Sequence, residues 1–306
     1  MLPLNQKISD YFQKECNYLW GGTFLIFLLG FTFFCYFFSK IPLLHDGDSY
    51  YHLAVARLYS QKGFVEHLEW ARYSVMNSGF GDKEFLFHLL LMPFVHWLPS
   101  DLGGKIALAL LNAATAAVIA NLSIRAIGKW GVFVPVWVFG TSAAFFLRMS
   151  RLRPEILSLL ILMGATWAAA RQKYRWLILF SALYALSYTA FHVLIGLSVG
   201  WFIIIGWVYR RWEWRLPVYT TLGVLIGLLA HPHFPSTLNI WAIQNIDFFI
   251  LKNKIGVGNE IQPASIGTIL SLNFGWLLGL AVFWRSRDWA GSIWRWMLPM
   301  TGRSGA

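Results

Sequence analysis

The feature that most constrains this chain is a series of apolar runs that carry no charge. The first run, residues 19–38, has about 20 residues without Asp, Glu, Lys or Arg, enough for one helix to cross a bilayer. Further runs follow at residues 106–124, 131–147, 156–170, 176–191, 193–209, 216–230 and roughly 266–284. Because 57% of the residues are hydrophobic and only 13% are charged, an ordinary soluble globule is excluded. The sequence predicts an all-α, polytopic transmembrane helical protein with about eight spans.

Two stretches outside these runs are expected at the outer membrane face. Within a single transmembrane domain of residues 1–306, residues 39–104 predict a long first outer loop with juxtamembrane helices. Residues 231–264 predict a second outer segment. Inside the first loop, residues 85–98 are apolar but only about 14 residues long and contain Pro93, so they predict a re-entrant or interfacial helix.

The distribution of charge gives the orientation. If residues 85–98 do not cross the membrane, four basic turns fall on the N-terminal side: Arg125/Lys129, Arg171/Lys173/Arg175, Arg210/Arg211/Arg215 and Arg285/Arg287. The positive-inside rule then places the N-terminus in the cytoplasm, with the chain in a membrane such as the bacterial inner membrane. That side carries 14 basic and 4 acidic residues, and the outer side 11 and 10. The net charge of +11 is thus an orientation signal, and no nucleic-acid partner is expected.

The densest polar motif is the octet HDGDSYYH at residues 45–52, just after the first apolar run. Ser49 is placed to cap the helix that follows, and Asp48 and His52 are one helical turn apart on the same face. Asp46 and Asp48, on a glycine turn, can chelate a divalent cation such as Mg²⁺ or Mn²⁺, or one of them can act as a base. The alternative is that both aspartates only cap a surface helix.

A second motif, RMSRLRPE at residues 148–155, lies in a turn predicted on the same outer face. Its arginines, in particular Arg151 and Arg153, suit an anionic group such as a phosphate, which a guanidinium binds bidentately. Pro154 suits the first turn of the next helix, and the charge of Glu155 favours that helix N-terminus. His231 is a further candidate phosphate contact from the second outer segment. The alternative is that the arginines only anchor the turn to lipid headgroups.

These motifs resemble a known superfamily. DGDSYYHL at residues 46–53 is similar to the first-loop signature of the integral-membrane glycosyltransferases of the C type, which include oligosaccharyltransferase catalytic subunits, and Arg153-Pro154-Glu155 resembles their second acidic motif. The resemblance implies transfer of a sugar from a polyprenyl-phosphate donor to an acceptor of unknown identity at the outer face. It also implies that Asp48 and Glu155, together with Asp46, are the catalytic acids, with Arg151, Arg153, His52 and His231 as substrate contacts.

The chain departs from the family in two respects. It has about eight predicted spans, fewer than is usual there, and no WWDYG-like motif for acceptor recognition. A shortened member, a truncated gene product or a member without activity is therefore expected, and a simpler lipid-linked sugar transferase is favoured over protein N-glycosylation. Membrane lipid and the lipid-linked donor are the expected partners.

A second hypothesis comes from a different functional class. A transporter, flippase or assembly factor for a lipid-linked or anionic solute could use the same arginine-rich turn as a binding site. Such a protein is expected to have polar or broken helices near the middle of the membrane. The predicted spans are nearly free of charge and their polar groups cluster at one edge, which favours the transferase.

Single-cysteine variants test the orientation. In a cysteine-free background, cysteines introduced at positions 50 and 152 are expected to react with a membrane-impermeant maleimide from the outer side. Those at positions 129 and 212 are expected to react only after permeabilisation. Labelling of positions 50 and 152 from opposite sides would overturn the single-site arrangement.

Overall fold

The computed structural model describes residues 4–41, 46–77, 79–247, 250 and 265–285. The described residues form helices and no strands, which confirms the predicted all-α class. The α-helices are α1 (Leu4–Ser39), α2 (Gly47–Lys62), α3 (Phe85–Trp97), α4 (Ser100–Ile127), α5 (Val134–Gly140), α6 (Ala143–Met149), α7 (Pro154–Ala170), α8 (Tyr174–Ser187), α9 (Phe191–Tyr209), α10 (Arg215–Leu229), α11 (Ser236–Ala242), α12 (Ile266–Leu272) and α13 (Phe274–Arg285). Short 3₁₀ turns occur at Val75–Asn77 and Gly128–Phe133, and a π turn at Ile243–Asp247.

Among the described residues, three stretches are long and apolar enough to cross a membrane, namely Leu19–Ser39, Ser100–Gly140 and Phe191–Val208. The pair α6 and α7 makes a fourth if its two helices are counted as one span. The eight predicted spans are therefore not confirmed, because several apolar runs form helices shorter than the bilayer core. The α8 helix has 14 residues and α10 has 15, whereas a span normally needs about 20.

Two predicted spans are broken, so the expectation of one continuous helix in each was wrong. The run at 131–147 becomes a 3₁₀ turn followed by α5 and α6, and Ser142 caps α6 by accepting a hydrogen bond from the Phe145 N–H at 3.1 Å. The run at 266–284 is interrupted at Asn273, between α12 and α13. The Ser142 hydroxyl donates to Asn273 Oδ1 at 2.7 Å. The polar residues at the two helix interruptions are therefore hydrogen-bonded to each other.

The segment predicted as re-entrant or interfacial forms the short helix α3. It has 13 residues with Pro93 inside, and it is too short to count among the candidate spans. The N-terminal part of the chain and the first apolar run form one helix, α1. The predicted second outer segment contains α11 and the π turn, and its residues 248–249 and 251–264 lie outside the described part.

The chain divides into two compact units. The first contains Met1–Leu44, Lys105–Arg151 and Ser265–Ala306, and the second contains His45–Gly104 and Leu152–Ala264. In the first unit, α1 approaches α4 closely, since a Cβ added at Gly30 would lie 3.5 Å from the Ala113 Cα. The Asn121 amide donates to Thr23 Oγ1 at 3.1 Å across the same pair of helices.

The second unit holds most of the polar motifs. Helix α2 packs on α3, α8 packs on α3, α7, α9 and α10, and α9 also contacts α10. A buried apolar cluster closes the space around α2 and the loop after it: Val55, Tyr59, Leu68, Phe80 and Phe85. Burying these side chains stabilises the loop segment that carries the polar residues described below.

One reporter position proposed for testing the orientation is affected by burial. Tyr50 is exposed, whereas Leu152 is completely buried. Arg148, at the end of α6, is exposed and is therefore a better position for a cysteine than Leu152.

Helices α8 and α10 pack backbone to backbone through two glycines. A Cβ added at Gly223 would lie 2.6 Å from the Ser181 Cβ, and one added at Gly227 would lie 2.9 Å from the Ala182 Cα. Real Cβ atoms essentially never approach so closely. The spacing Gly-x-x-x-Gly thus allows the tight contact that small residues provide between apolar helices.

We expect Gly227→Ala to lower the free energy of unfolding by about 1–3 kcal/mol, because the new methyl group pushes α10 away from α8. Gly200→Ala on α9 is the matched control, since nothing lies within 4 Å of a Cβ there. The control should be neutral or slightly stabilising, because Ala is a better helix former than Gly. Thermal unfolding of the purified variants in detergent measures both changes, and equal melting temperatures would contradict the packing argument.

Candidate active site

The two motifs singled out in the sequence meet in the second unit. The Leu152 N–H donates to the Ser49 hydroxyl oxygen at 3.1 Å, and both residues are fully buried. Next to this bond, Arg153 Nη2 donates to Asp46 Oδ1 at 2.8 Å, and Arg153 Nε donates to the other oxygen of the same carboxylate. Arg153 Nη2 is also 3.0 Å from Asp48 Oδ2. One guanidinium therefore holds both aspartates of the first motif.

The electrostatics of this cluster favour the charged form of Arg153. The hydrogen bond with Asp46 raises the pKa of the Arg153 guanidinium above its ordinary value, burial opposes that shift, and the charges of Asp46, Asp48 and Glu155 add to it. Asp46 is largely buried, with 13% of its side chain exposed, whereas 63% of the Asp48 side chain is exposed. The cluster thus presents one shielded and one accessible carboxylate.

Local structure explains where these residues lie. Asp46 precedes α2 and Asp48 is in its first turn, while Pro154 and Glu155 begin α7. Acidic side chains are stabilised near the positive end of a helix, and Pro is preferred at the first helical position. The predicted start of α7 at Pro154 is therefore confirmed.

Two predictions about the octet were wrong. Ser49 does not cap α2, because that helix begins at Gly47 and the Ser49 oxygen is used by Leu152 instead. Asp48 is not paired with His52, since Asp48 contacts Arg153 and His52 bonds to His88. The cause is tertiary: burial of His52 against α3 leaves the exposed Asp48 to the turn before α7. His45 lies outside the described residues.

A buried chain of hydrogen bonds extends from α2 into the loop before α3. His52 Nδ1 lies 2.9 Å from His88 Nε2, and His88 Nδ1 lies 2.8 Å from Asp82 Oδ2. The Tyr59 hydroxyl donates to the same Asp82 oxygen at 2.7 Å. The Glu84 N–H donates to Asp82 Oδ1 at 3.1 Å, so every bond made by this carboxylate is one that it accepts. We call Tyr59, Asp82, His88 and His52 the buried chain.

The pKa values of the buried chain follow from these contacts. Burial alone would raise the pKa of the Asp82 carboxyl. The charge and the hydrogen bond of His88 act against burial, as do the hydrogen bonds from Tyr59 and from the Glu84 backbone, and the pKa falls to about 2. Burial, followed by the charge of His88, lowers the pKa of His52 well below its ordinary value. Asp82 is therefore anionic and His52 neutral near pH 7.

Glu84 is the one acid here that favours its neutral form. Burial raises the pKa of the Glu84 carboxyl to about 7, although the charge of Lys83, 3.3 Å away, lowers it. Its Oε2 atom is buried and has no hydrogen-bond partner among the described residues. Lys83 also donates to Gln244 Oε1 at 3.0 Å. A carboxyl group in this environment is poised to change its charge near neutral pH.

His231, predicted as a phosphate contact, lies just after α10, with its ring centroid 5.3 Å from that of Phe85 at the start of α3. Its Nδ1 accepts a hydrogen bond from the His233 N–H at 3.1 Å and lies 3.2 Å from the Thr237 hydroxyl oxygen. Burial, partly offset by the charge of Asp82, lowers the pKa of His231 to about 4. A neutral imidazole brings no positive charge to a phosphate, and its predicted role stays a prediction.

The remaining predicted contacts are placed as follows. Arg151 ends the middle segment of the first unit, where its N–H donates to the Arg148 carbonyl at 3.3 Å. Its predicted role toward a phosphate stays a prediction. Within the described part of the chain, no group of three His, Cys, Asp or Glu residues is arranged to hold a metal ion. Asp46 and Asp48 bind a guanidinium, so the predicted Mg²⁺ or Mn²⁺ site stays a prediction and no step proposed below depends on it.

Sequence reasoning missed three of the polar residues that the fold gathers. Tyr59, Asp82 and Glu84 were not among the predicted site residues, yet they are buried close to His88. The available signal was the sequence GDKE immediately before an apolar helix that contains a histidine. Charged residues directly ahead of an apolar segment are easily taken for a solvated loop.

Comparison with known proteins gives no match. No protein-family model, no curated protein and no solved structure matches the chain. The resemblance to the C-type glycosyltransferases therefore depends on the motifs around residues 45–53 and 151–155 and on the predicted architecture.

Glu84→Gln tests the raised pKa through stability. The wild-type carboxyl keeps its proton in the folded state up to about pH 7 but loses it near 4.5 when unfolded. The folded state therefore loses stability relative to the variant as pH rises through that window, on the order of 3 kcal/mol in total. Denaturation curves between pH 4.5 and 8 measure the difference.

The exposed acid Glu66, in the same loop, provides the control for this experiment. Glu66→Gln should leave the pH dependence of the wild type unchanged. A pH-independent difference between wild type and Glu84→Gln would contradict the assignment.

Proposed function

We propose that the protein is a membrane-embedded glycosyltransferase that moves a sugar from a polyprenyl-phosphate-linked donor to an acceptor at the outer membrane face. The observation that carries this proposal is the pairing of Asp46 and Asp48 with Arg153, from the turn that leads to Glu155. Two motifs about 100 residues apart in sequence thus form one acidic and basic cluster. Transfer from a phosphate-linked sugar needs both kinds of group.

The cluster suggests a role for each side chain. Asp48, the exposed carboxylate, is placed to receive the acceptor, and Glu155 is the second acid. Arg153 would stabilise the charge that develops on the leaving phosphate. A guanidinium has five N–H donors in a planar fork, so binding carboxylates on one side is compatible with binding a phosphate on another.

Membrane lipid is an expected partner of the first unit. The first unit contains an apolar cavity of about 570 Å³, and its lining includes Phe33, Phe34, Phe139 and Phe146. Such a surface suits a hydrocarbon chain, because little of it is polar. The candidate spans support the membrane setting.

The proposal includes a specific membrane topology. A cytoplasmic N-terminus, about eight crossings and a bacterial inner membrane would bring both motifs to the outer face, where most of the acids lie. Short helices such as α8 and α10 would cross only with a locally thinned bilayer or as part of a packed group. The acceptor is not specified by these residues.

One observation favours the rival transport function. The apolar run at 131–147 is broken, with Thr141 and Ser142 at the interruption between α5 and α6. Broken helices are common where transporters bind a solute inside the membrane. Against this, the Ser142 hydroxyl is already bonded to Asn273, and the charged cluster lies in the other unit.

The transferase is tested with purified protein and a panel of polyprenyl-phosphate sugars. Asp48→Ala and Glu155→Gln are expected to lower the rate of sugar transfer by about 100-fold or more, because each removes a carboxylate from the reacting centre. Glu69→Gln, an exposed acid in the first outer loop, is the control and should keep the wild-type rate.

Full transfer activity in both site variants would overturn the proposed roles. Movement of an unaltered lipid-linked sugar across proteoliposomes, with no transfer product, would favour the transporter instead. Mass spectrometry of the donor and product separates these outcomes.

A further inference from the structure

The buried chain contains a histidine with one uncommitted nitrogen. Asp82 accepts hydrogen bonds from Tyr59 and from the Glu84 backbone, so it is a carboxylate and the proton of the third bond must lie on His88 Nδ1. With a single proton on each imidazole, as the proposal below requires before the reaction, His88 has its lone pair on Nε2, 2.9 Å from His52 Nδ1. His52 must donate there, which leaves its own lone pair on Nε2.

The surroundings keep His52 neutral. Only 4% of its surface is exposed, and its Nε2 makes no hydrogen bond to a described residue. The positive charges of Arg153 and Lys83 oppose protonation of His52, as does His88, while Asp82 favours it. The neighbouring rings of Tyr51 and Phe87 pack edge-on against the imidazole.

His88 lies directly against a carboxylate, whereas His52 does not. Its Nδ1 lies against the Asp82 carboxylate at 2.8 Å, and both side chains are completely buried. A buried imidazolium is stabilised by an adjacent carboxylate, whereas one at His52 would be separated from Asp82 by the width of His88. A proton that arrives on His52 Nε2 therefore moves on, as the Nδ1 proton of His52 passes to His88 Nε2.

We propose that His52 is the proton acceptor of the transferase, and that His88 and Asp82 are positioning residues that receive and hold the proton. This inference rests on the proposed function. The acceptor hydroxyl gives its proton to His52 Nε2 while its oxygen bonds to the sugar C1. The bond from C1 to the phosphate oxygen breaks, and the phosphate leaves with the electron pair beside Arg153. His88 ends as an imidazolium paired with Asp82.

His52→Asn separates this role from a merely structural one. The Asn amide reproduces the Nδ1 donor toward His88 but has no counterpart of Nε2, so the buried chain stays bonded while the base is removed. We expect the variant to keep the wild-type melting temperature and to transfer sugar about 100-fold more slowly. His192→Ala is the control, because His192 contacts Trp241 and takes no part in the buried chain. Wild-type transfer by His52→Asn would overturn the proposal.

Asp82→Asn tests the positioning residues. Without the carboxylate the imidazolium at His88 is less favourable, so the rate is expected to fall about 10-fold or more and the acidic limb of the pH–rate profile to move to lower pH. The KM for the donor should change little. An unchanged profile together with a lower rate would indicate packing alone and contradict the relay.

A measurement without substrate tests the proton positions. In protein labelled with ¹⁵N-histidine, with His52→Asn used for assignment, His52 is expected to carry its proton on Nδ1 between pH 6 and 8. A proton on Nε2 would overturn the inference even if Asp48→Ala abolishes transfer, which would leave the proposed function intact. A third outcome is that His52 carries its proton on Nδ1 but the wild-type protein uses no lipid-linked donor. That result would contradict the transferase function and, with it, the catalytic role of His52.

Discussion

The second unit depends on one guanidinium held between two carboxylates. Arg153 comes from the turn before α7, and Asp46 and Asp48 come from the start of α2, far away in sequence. Arg153 and Asp46 are both largely removed from water, so loss of either would leave the other poorly compensated, whereas Asp48 stays accessible to solvent. The adjacent bond from the Leu152 N–H to Ser49 fixes the backbone of the turn, so that the fork of Arg153 meets Asp46 edge to edge.

A second set of polar groups is buried more deeply and follows a different rule. Asp82, His88 and Tyr59 lie among apolar side chains such as Phe80 and Phe85 and are satisfied by one another. A buried network of this kind is tolerated only when its members are bonded, since an unpaired polar group in low dielectric is costly. Glu84 departs from the rule through one unpartnered oxygen, and it responds by favouring its neutral form.

The sequence was informative wherever a local pattern decided the outcome. The all-helical class, the first candidate span, the short helix at 85–98 and the start of α7 at Pro154 could each be predicted from apolar length or from helix-end chemistry. The number of spans was overpredicted because the length of each apolar run was the criterion used to assign them. An uncharged run looks continuous in sequence, but a hydroxyl such as that of Ser142 can end one helix and begin another when Asn273 is near.

The sequence by itself determined which chemical groups the protein has and that they flank apolar helices. Residue type and spacing were sufficient to identify four candidate site residues, namely Asp46, Asp48, Arg153 and Glu155. Only the tertiary structure decided their partners. Helical spacing paired Asp48 with His52, yet burial of α2 against α3 turned His52 toward His88 and left Asp48 to Arg153. Contacts between distant segments follow from which surfaces are buried together, and local periodicity carries no information about that choice.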